Sequence, residues 1–125
     1  MNILGIDYGK KRIGLAWVQV GLDVVLPYGI VGNIDELVEL IKREGINKLV
    51  VGMPIGLDGN ENDNTARVRK FAEELINKTK LPLEFVDERF SSRQADSMGG
   101  DVSRDEKSAM VILQSYLDKV KNNGN

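Results

Sequence analysis

The stretch Ile3-Leu4-Gly5-Ile6-Asp7-Tyr8-Gly9 constrains this chain more than any other. Its apolar run reads as a buried strand, and the run ends on a carboxylate. A charge at the end of a core strand is costly unless something pairs with it. Gly9 then lets the backbone turn tightly or approach a ligand closely. Lys10-Lys11-Arg12 and a second apolar run over 13–18 complete a hairpin pattern. On its own, Asp7-Tyr8-Gly9 is ordinary turn chemistry; the rest of the chain gives it another meaning.

Residues 23–31 read as a third strand, and Pro27, which cannot donate to a ladder, assigns it to a sheet edge. Asn33 suits a helix N-cap, Ile34, Leu37, Val38 and Ile41 recur at helical spacing, and Gly45 ends that helix. The apolar segment 48–52 follows closely enough to be a crossover strand parallel to the first. The Gly-, Asn- and Asp-rich stretch 53–64 is longer than its connection needs, a property of functional loops. A second helix then carries Val68, Phe71, Ala72, Leu75 and Ile76 on one face, with Arg67, Arg69 and Lys70 off it.

The fifth strand, 83–86, again runs into acid: Asp87-Glu88, then Arg89. Residues 91–98 have the character of a short helix, broken by Gly99-Gly100. Ser103 with Glu106 three residues on forms a capping box for the last helix. Its apolar face holds Ala109, Ile112, Leu113, Tyr116, Leu117 and Val120, and 121–125 read as a polar tail. Residues 1–120 are thus expected to form a single domain.

The order β-β-β-α-β-α-β-α is three meandering strands followed by two crossover units. Right-handed crossovers place the first strand centrally, between the second and the fourth. The expected fold is α/β and ribonuclease H-like: a mixed five-stranded sheet with helices on both faces.

Composition limits the chemistry. The 125 residues include no cysteine and no histidine, which excludes thiol catalysis, zinc–thiolate sites and the commonest general base. Any metal must be a hard cation held by oxygen. Asp7 ends the first strand, Asp87 and Glu88 end a strand parallel to it, and ligands of such sheets gather beyond the carboxyl ends. Two strand spacings of about 4.8 Å separate these ends, a gap that a Glu side chain largely closes. Asp105 opens the last helix, where the backbone dipole favours negative charge. Three carboxylates converging without histidine suit two-metal phosphoryl transfer.

The run from Ile6 to Ala16, Ile6-Asp7-Tyr8-Gly9-Lys10-Lys11-Arg12-Ile13-Gly14-Leu15-Ala16, resembles the opening signature of the YqgF family, RuvC-like members of the ribonuclease H superfamily. The likeness continues through Val51-Gly52-Met53-Pro54, Asp58-Gly59, the helix from Arg67 to Phe71, Val86-Asp87-Glu88-Arg89 and Asp105 to Leu117 with its Ile112-Leu113-Gln114. That family is described both as Holliday-junction resolvases and as the nuclease that matures the 5′ end of pre-16S ribosomal RNA. The resemblance implies a metal-dependent phosphodiesterase with Asp7, Glu88 and Asp105 as catalytic and metal-binding triad for two Mg2+ or Mn2+ ions. Ser108 stands where the family usually has the first of two alanines, and Glu106 stands beside Asp105.

With 17 basic and 19 acidic residues the net charge is −2, so phosphates must be held by local positive surface. Gly9, Lys10, Lys11 and Arg12 beyond Asp7, and Arg89 beside Glu88, are the expected substrate contacts. Arg67, Arg93, Arg104 and Lys107 could extend the patch, and Tyr8 either stacks on a base or covers the core. The sequence begins without a basic leader and holds no run of membrane-spanning length, so a cytoplasmic protein is expected. Each helix's apolar stripe is needed by the sheet, which points to a monomer and to RNA; a junction resolvase needs two active sites, hence a dimer. Two rivals remain. One is a nucleotide-binding domain of the sugar-kinase and actin type, which would need a second domain and hydroxyl residues in the turn. The other is an RNA-binding or transcription-associated factor without turnover.

Overall fold

A computed structural model describes residues 1–22, 24–54, 62–87 and 102–123, with 121–123 described by backbone alone. Side chains alternate along β1 (Asn2–Tyr8), with Leu4 and Ile6 packed on one face of the sheet and Ile3 on the other. A strand covered on both faces is apolar throughout, which is why this run shows no hydrophobic alternation. It pairs antiparallel with β2 (Ile13–Gln19), from Asn2 opposite Gln19 to Tyr8 opposite Ile13. The strand order is β3-β2-β1-β4-β5, with β3 (Leu26–Val31) and β5 (Leu83–Asp87) at the edges and β4 (Lys48–Met53) parallel to both β1 and β5. The central first strand and the edge position of the Pro27 strand are as expected. The third strand is shorter than the 23–31 read from sequence, beginning at Leu26, and its register against β2 shifts between Leu15 and Ala16.

Helices α1 (Ile34–Arg43) and α2 (Asp63–Thr79) cover the face that holds Leu4, Leu15, Leu49 and Val51. Helix α3 (Arg104–Asn123) covers the other, where Ile3, Ala16, Val18 and Val50 meet Ala109, Ile112, Leu113 and Tyr116. Asn33 caps α1, its side chain accepting the Glu36 N–H at 2.9 Å, and Gly45 follows the last turn at φ +64°.

Helix α2 starts earlier than the expected end of the loop at residue 64. The Asn62 side chain accepts the N–H groups of Asn64 and Thr65, while the Thr65 hydroxyl accepts the Asn62 N–H and donates to the Pro54 carbonyl at 3.0 Å. Threonine thus fills the part that Glu or Gln plays in the usual capping box, so the start carries no obvious signature. Ile76, expected on the apolar face, is 38% exposed, whereas its neighbour Leu75 is buried. The loop residues 55–61 and the short-helix segment 91–98 lie outside the described residues. Helix α3 continues three residues past the expected domain end at 120. Among the described residues no helix is long and apolar enough to cross a membrane.

One ion pair ties the β4–β5 edge to α3. Lys48 Nζ lies 2.7 Å from Glu84 Oε2 and 4.9 Å above the Tyr116 ring. The hydrogen bond from Lys48 holds the Glu84 carboxyl below its ordinary pKa, and the same bond raises that of Lys48. A depressed carboxyl stabilises the fold above its unfolded pKa, and that contribution is lost as pH falls through the folded value. Glu84 is 47% exposed, so the pair is worth at most about 1 kcal/mol. Lys48→Met should therefore cost measurably more stability at neutral pH than well below the carboxylate range, by urea titration. An equal cost at both pH values would show that only packing was lost.

Candidate active site at the carboxyl end of the central strand

Asp7 follows Ile6 on β1, so the pleat turns it to the α3 face, and its partner in β2 is Gly14. The first turn of α3 rests on that glycine. A Cβ at position 14 would lie 2.1 Å from the Asp105 carbonyl oxygen and 2.8 Å from the Asp105 Cβ. Asp105 is therefore seated over the residue paired with Asp7, and both acids are half-buried at the carboxyl end of the central strand.

The neighbouring acids are disposed differently. The Glu106 carboxylate accepts the Ser103 hydroxyl at 2.9 Å, and that hydroxyl oxygen accepts the Glu106 N–H at 3.2 Å. Glu106 is thus engaged in the helix cap, while Asp105 Oδ2 lies 3.1 Å from Arg12 Nε. Asp87 is in register with Met53, whose side chain belongs to the α1/α2 core; Val86 packs with the α3 core. The pleat accordingly puts Asp87 on the opposite face from Asp7. Glu88 and Arg89, with Arg93, lie outside the described residues. Among the described residues no three metal-binding side chains gather; of the three expected acids, Asp105 is seated over the strand partner of Asp7.

The basic residues are split between the two faces. The β1–β2 turn is closed by the Gly9 N–H donating to the Arg12 carbonyl at 3.0 Å, and a Cβ on Gly9 would stand 2.7 Å from that oxygen. Lys10 and Lys11 are exposed at its tip, and Arg12 reaches over to Asp105. Tyr8 turns away from the acids: its ring stacks on Phe71 with centroids 4.1 Å apart and planes at 19°. There, with Lys10, Arg67 and Lys70, it lines a cavity of about 340 Å³. The sequence reading allowed Arg67 as an extension of the phosphate-binding patch but left Lys70 only as a residue off the apolar stripe. Their spacing along α2 with Glu74, one face of the helix, was the available signal.

A 3-2-1-4-5 mixed sheet flanked by helices, with an acid ending the central strand, is the ribonuclease H-like fold. RuvC from Thermus thermophilus, in a structure described as a complex with Holliday junction substrate, matches with a TM-score of 0.70 over 98% of this chain and 96% of that one, at 13% identity. A second Thermus thermophilus RuvC structure matches at 0.66 over 99% and 97%, also at 13% identity. Sequence comparison carries the assignment further. The RuvX family model, described as Holliday junction resolvase, matches residues 1–119, and the chain belongs to that family, the YqgF family of the sequence resemblance. Family members are nucleases, hydrolases of phosphodiesters. A Dictyoglomus turgidum relative is 36% identical over 135 residues, covering 96% of each chain. A Moorella thermoacetica relative is 34% identical over 139 residues, covering 99% of each. One from Anaplasma marginale is 36% identical over 138 residues, 98% of this chain and 88% of its own. All three bear the provisional name pre-16S rRNA nuclease.

Proposed function

We propose that this protein is a metal-dependent endonuclease that removes the 5′ extension of pre-16S rRNA in the cytoplasm. The observation that carries the chemistry is the seating of Asp105 over Gly14, the strand partner of Asp7. The donor set fits a hard cation: two carboxylates delivered by separate elements, in a chain that offers no imidazole or thiolate. Asp7, Asp105 and Glu88 would hold two Mg2+ or Mn2+ ions. Such ions, when bound, supply an activated water and stabilise the leaving oxygen.

The chain's own residues do the positioning. Asp7 stands on a central strand that pairs with β2 and β4, and the Ser103–Glu106 cap fixes the turn that carries Asp105. Arg12 is 68% exposed and pairs with Asp105 through Nε, which leaves its terminal nitrogens to take a phosphate oxygen. Lys10 and Lys11 at the turn tip add attraction for the backbone, with Gly9 and Arg89 as further contacts. The names of the curated relatives support ribosomal RNA as substrate.

The second reading is a resolvase of branched DNA, favoured by the description of the family model. The two part on one assay in Mg2+ or Mn2+. Labelled RNA carrying the 16S 5′ extension and a four-way DNA junction are each given to wild type and Asp7→Asn. Asp7-dependent RNA cleavage is expected. Paired symmetrical nicks in the junction, made by a dimer, would favour the resolvase. RNA bound but uncut, with the junction also uncut, would leave a binding factor without turnover.

Replacing the cap serine is a milder test of the same site. Ser103→Ala should cost about 1 kcal/mol of stability and lower cleavage, because the first turn of α3 frays under Asp105. Unchanged cleavage alongside a lowered melting point would separate the cap from the site.

A further inference from the structure

The cavity on the α1/α2 face shares the turn residues Gly9 and Lys10 with the rim of the acid site, yet opens on the other side of the sheet. It lies between that turn, the start of α1 and the first half of α2. Its volume, about 340 Å³, is in the range of small-ligand pockets. We propose that it binds one nucleotide of the single-stranded flank of the RNA substrate; taking the occupant as substrate rests on the nuclease reading above.

The charge on its walls fits a phosphate. Lys10, Arg67 and Lys70 face it against one carboxylate, Glu74, in a chain whose net charge is −2. Among the described residues neither Lys10 nor Lys70 is engaged in an ion pair, and the Arg67 guanidinium is oriented by donating to the Asn64 side chain. The start of α1 holds acids of its own, Asp35 and Glu36. The Asn33 side chain accepts the Glu36 N–H, and the Gly32 N–H donates to the Glu36 carboxylate, so the cations must carry the recognition.

The walls also fit a base. Tyr8 and Phe71 form a stacked pair that lines the cavity, with Tyr8 only half-buried. Aromatic surface beside a cationic rim is how single-stranded nucleic acids are held without sequence preference. Continuity supplies the last argument. Asp7 and Tyr8 are consecutive and turn to opposite faces, so a strand crossing the acids can bend round the hairpin tip, past Gly9 and Lys10, into the cavity.

The test uses the full chain carrying Asp7→Asn, so that RNA is bound rather than cut, and fluorescence anisotropy with two labelled probes. One is an RNA duplex with a single-stranded 5′ extension, the other the same duplex made blunt. Lys70 is exposed on α2, so Lys70→Glu should leave the melting point unchanged. It is expected to weaken binding of the extended probe roughly tenfold and that of the blunt probe little, since it reverses one phosphate contact. Tyr8 should be the residue that photocross-links to a 4-thiouridine in the extension. Equal loss on both probes, or none on either, would overturn the proposal. Adenosine monophosphate displacing the extended probe at comparable affinity would overturn it too, in favour of a free-nucleotide pocket. If wild type cuts no RNA while Lys70→Glu still selects against the extended probe, the nuclease reading fails and the pocket stands. If cleavage depends on Asp7 and Lys70→Glu has no selective effect, the pocket falls alone.

Discussion

Gly14→Ala is expected to destabilise the fold by about 3 kcal/mol, a drop of roughly 10 °C in melting temperature for a chain of this size, and to abolish most cleavage. The added methyl would meet the Asp105 carbonyl oxygen at 2.1 Å and its carbonyl carbon at 2.4 Å. Those atoms belong to helix backbone and cannot rotate aside, as the end of a flexible side chain could. Ordinary carbon contacts begin near about 3.5 Å, so the first turn of α3 must lift off the sheet by more than an ångström. Asp105 moves with it. A displacement of about 1 Å at a reacting centre can cost on the order of 100-fold in rate, so activity should fall even in the molecules that remain folded. Scanning fluorimetry and a cleavage assay below the lowered melting point measure the two effects separately. A variant with wild-type melting and wild-type rate would mean that α3 does not sit on Gly14 in solution, and the active-site assignment would lose its main support.

Asp7→Asn should do the reverse to stability. Asparagine keeps the shape of aspartate, so the pairing of Asp7 with Gly14 need not change. It removes the desolvation cost of a half-buried charge, while the amide oxygen still accepts hydrogen bonds. The variant is expected to melt no lower than wild type. Its cleavage rate should fall by about 1,000-fold, since losing a metal-binding carboxylate forfeits several kcal/mol of transition-state stabilisation and about 1.4 kcal/mol corresponds to each factor of ten. Divalent cation gives a second readout. Added Mg2+ or Mn2+ should raise the melting temperature of wild type through its preference for the folded state, and raise that of Asp7→Asn much less. Cleavage by Asp7→Asn at the wild-type rate would remove Asp7 from the chemistry.

Most of the frame could be read from residues close together in the chain. Pro27 marked the edge strand, the apolar run over 3–6 marked a buried one that the handedness of the crossovers made central, and the stripes of α1 and α3 marked the faces that bury. Strand and helix periodicity, caps and the missing amide hydrogen of proline are local properties, and each is legible where it occurs. The same holds for the presence of acid at the end of β1 and at the start of α3. The start of α2 was local too, but Thr65 took a part usually played by Glu or Gln, and the pattern went unread. Glu88 and Arg89 lie outside the described residues, so their roles rest on the family motif.

Tertiary structure alone decided which of two adjacent acids does what. Asp105 and Glu106 are equivalent in the sequence as first-turn helix acids; packing of α3 on Gly14 seats Asp105 over the sheet, and Ser103 takes Glu106. Asp87 and Asp7 both end strands, yet the register of β5 against Met53 sends Asp87 to the far face. Tyr8, which read equally as a base-stacking residue at the acids or as core cover, packs on Phe71. These outcomes depend on contacts between segments remote in the chain, and on a pleat that reverses direction with every residue. Composition and spacing determined that acids and cations would gather at one edge of a mixed sheet. Only register and helix packing, which are non-local, could sort them onto its two faces.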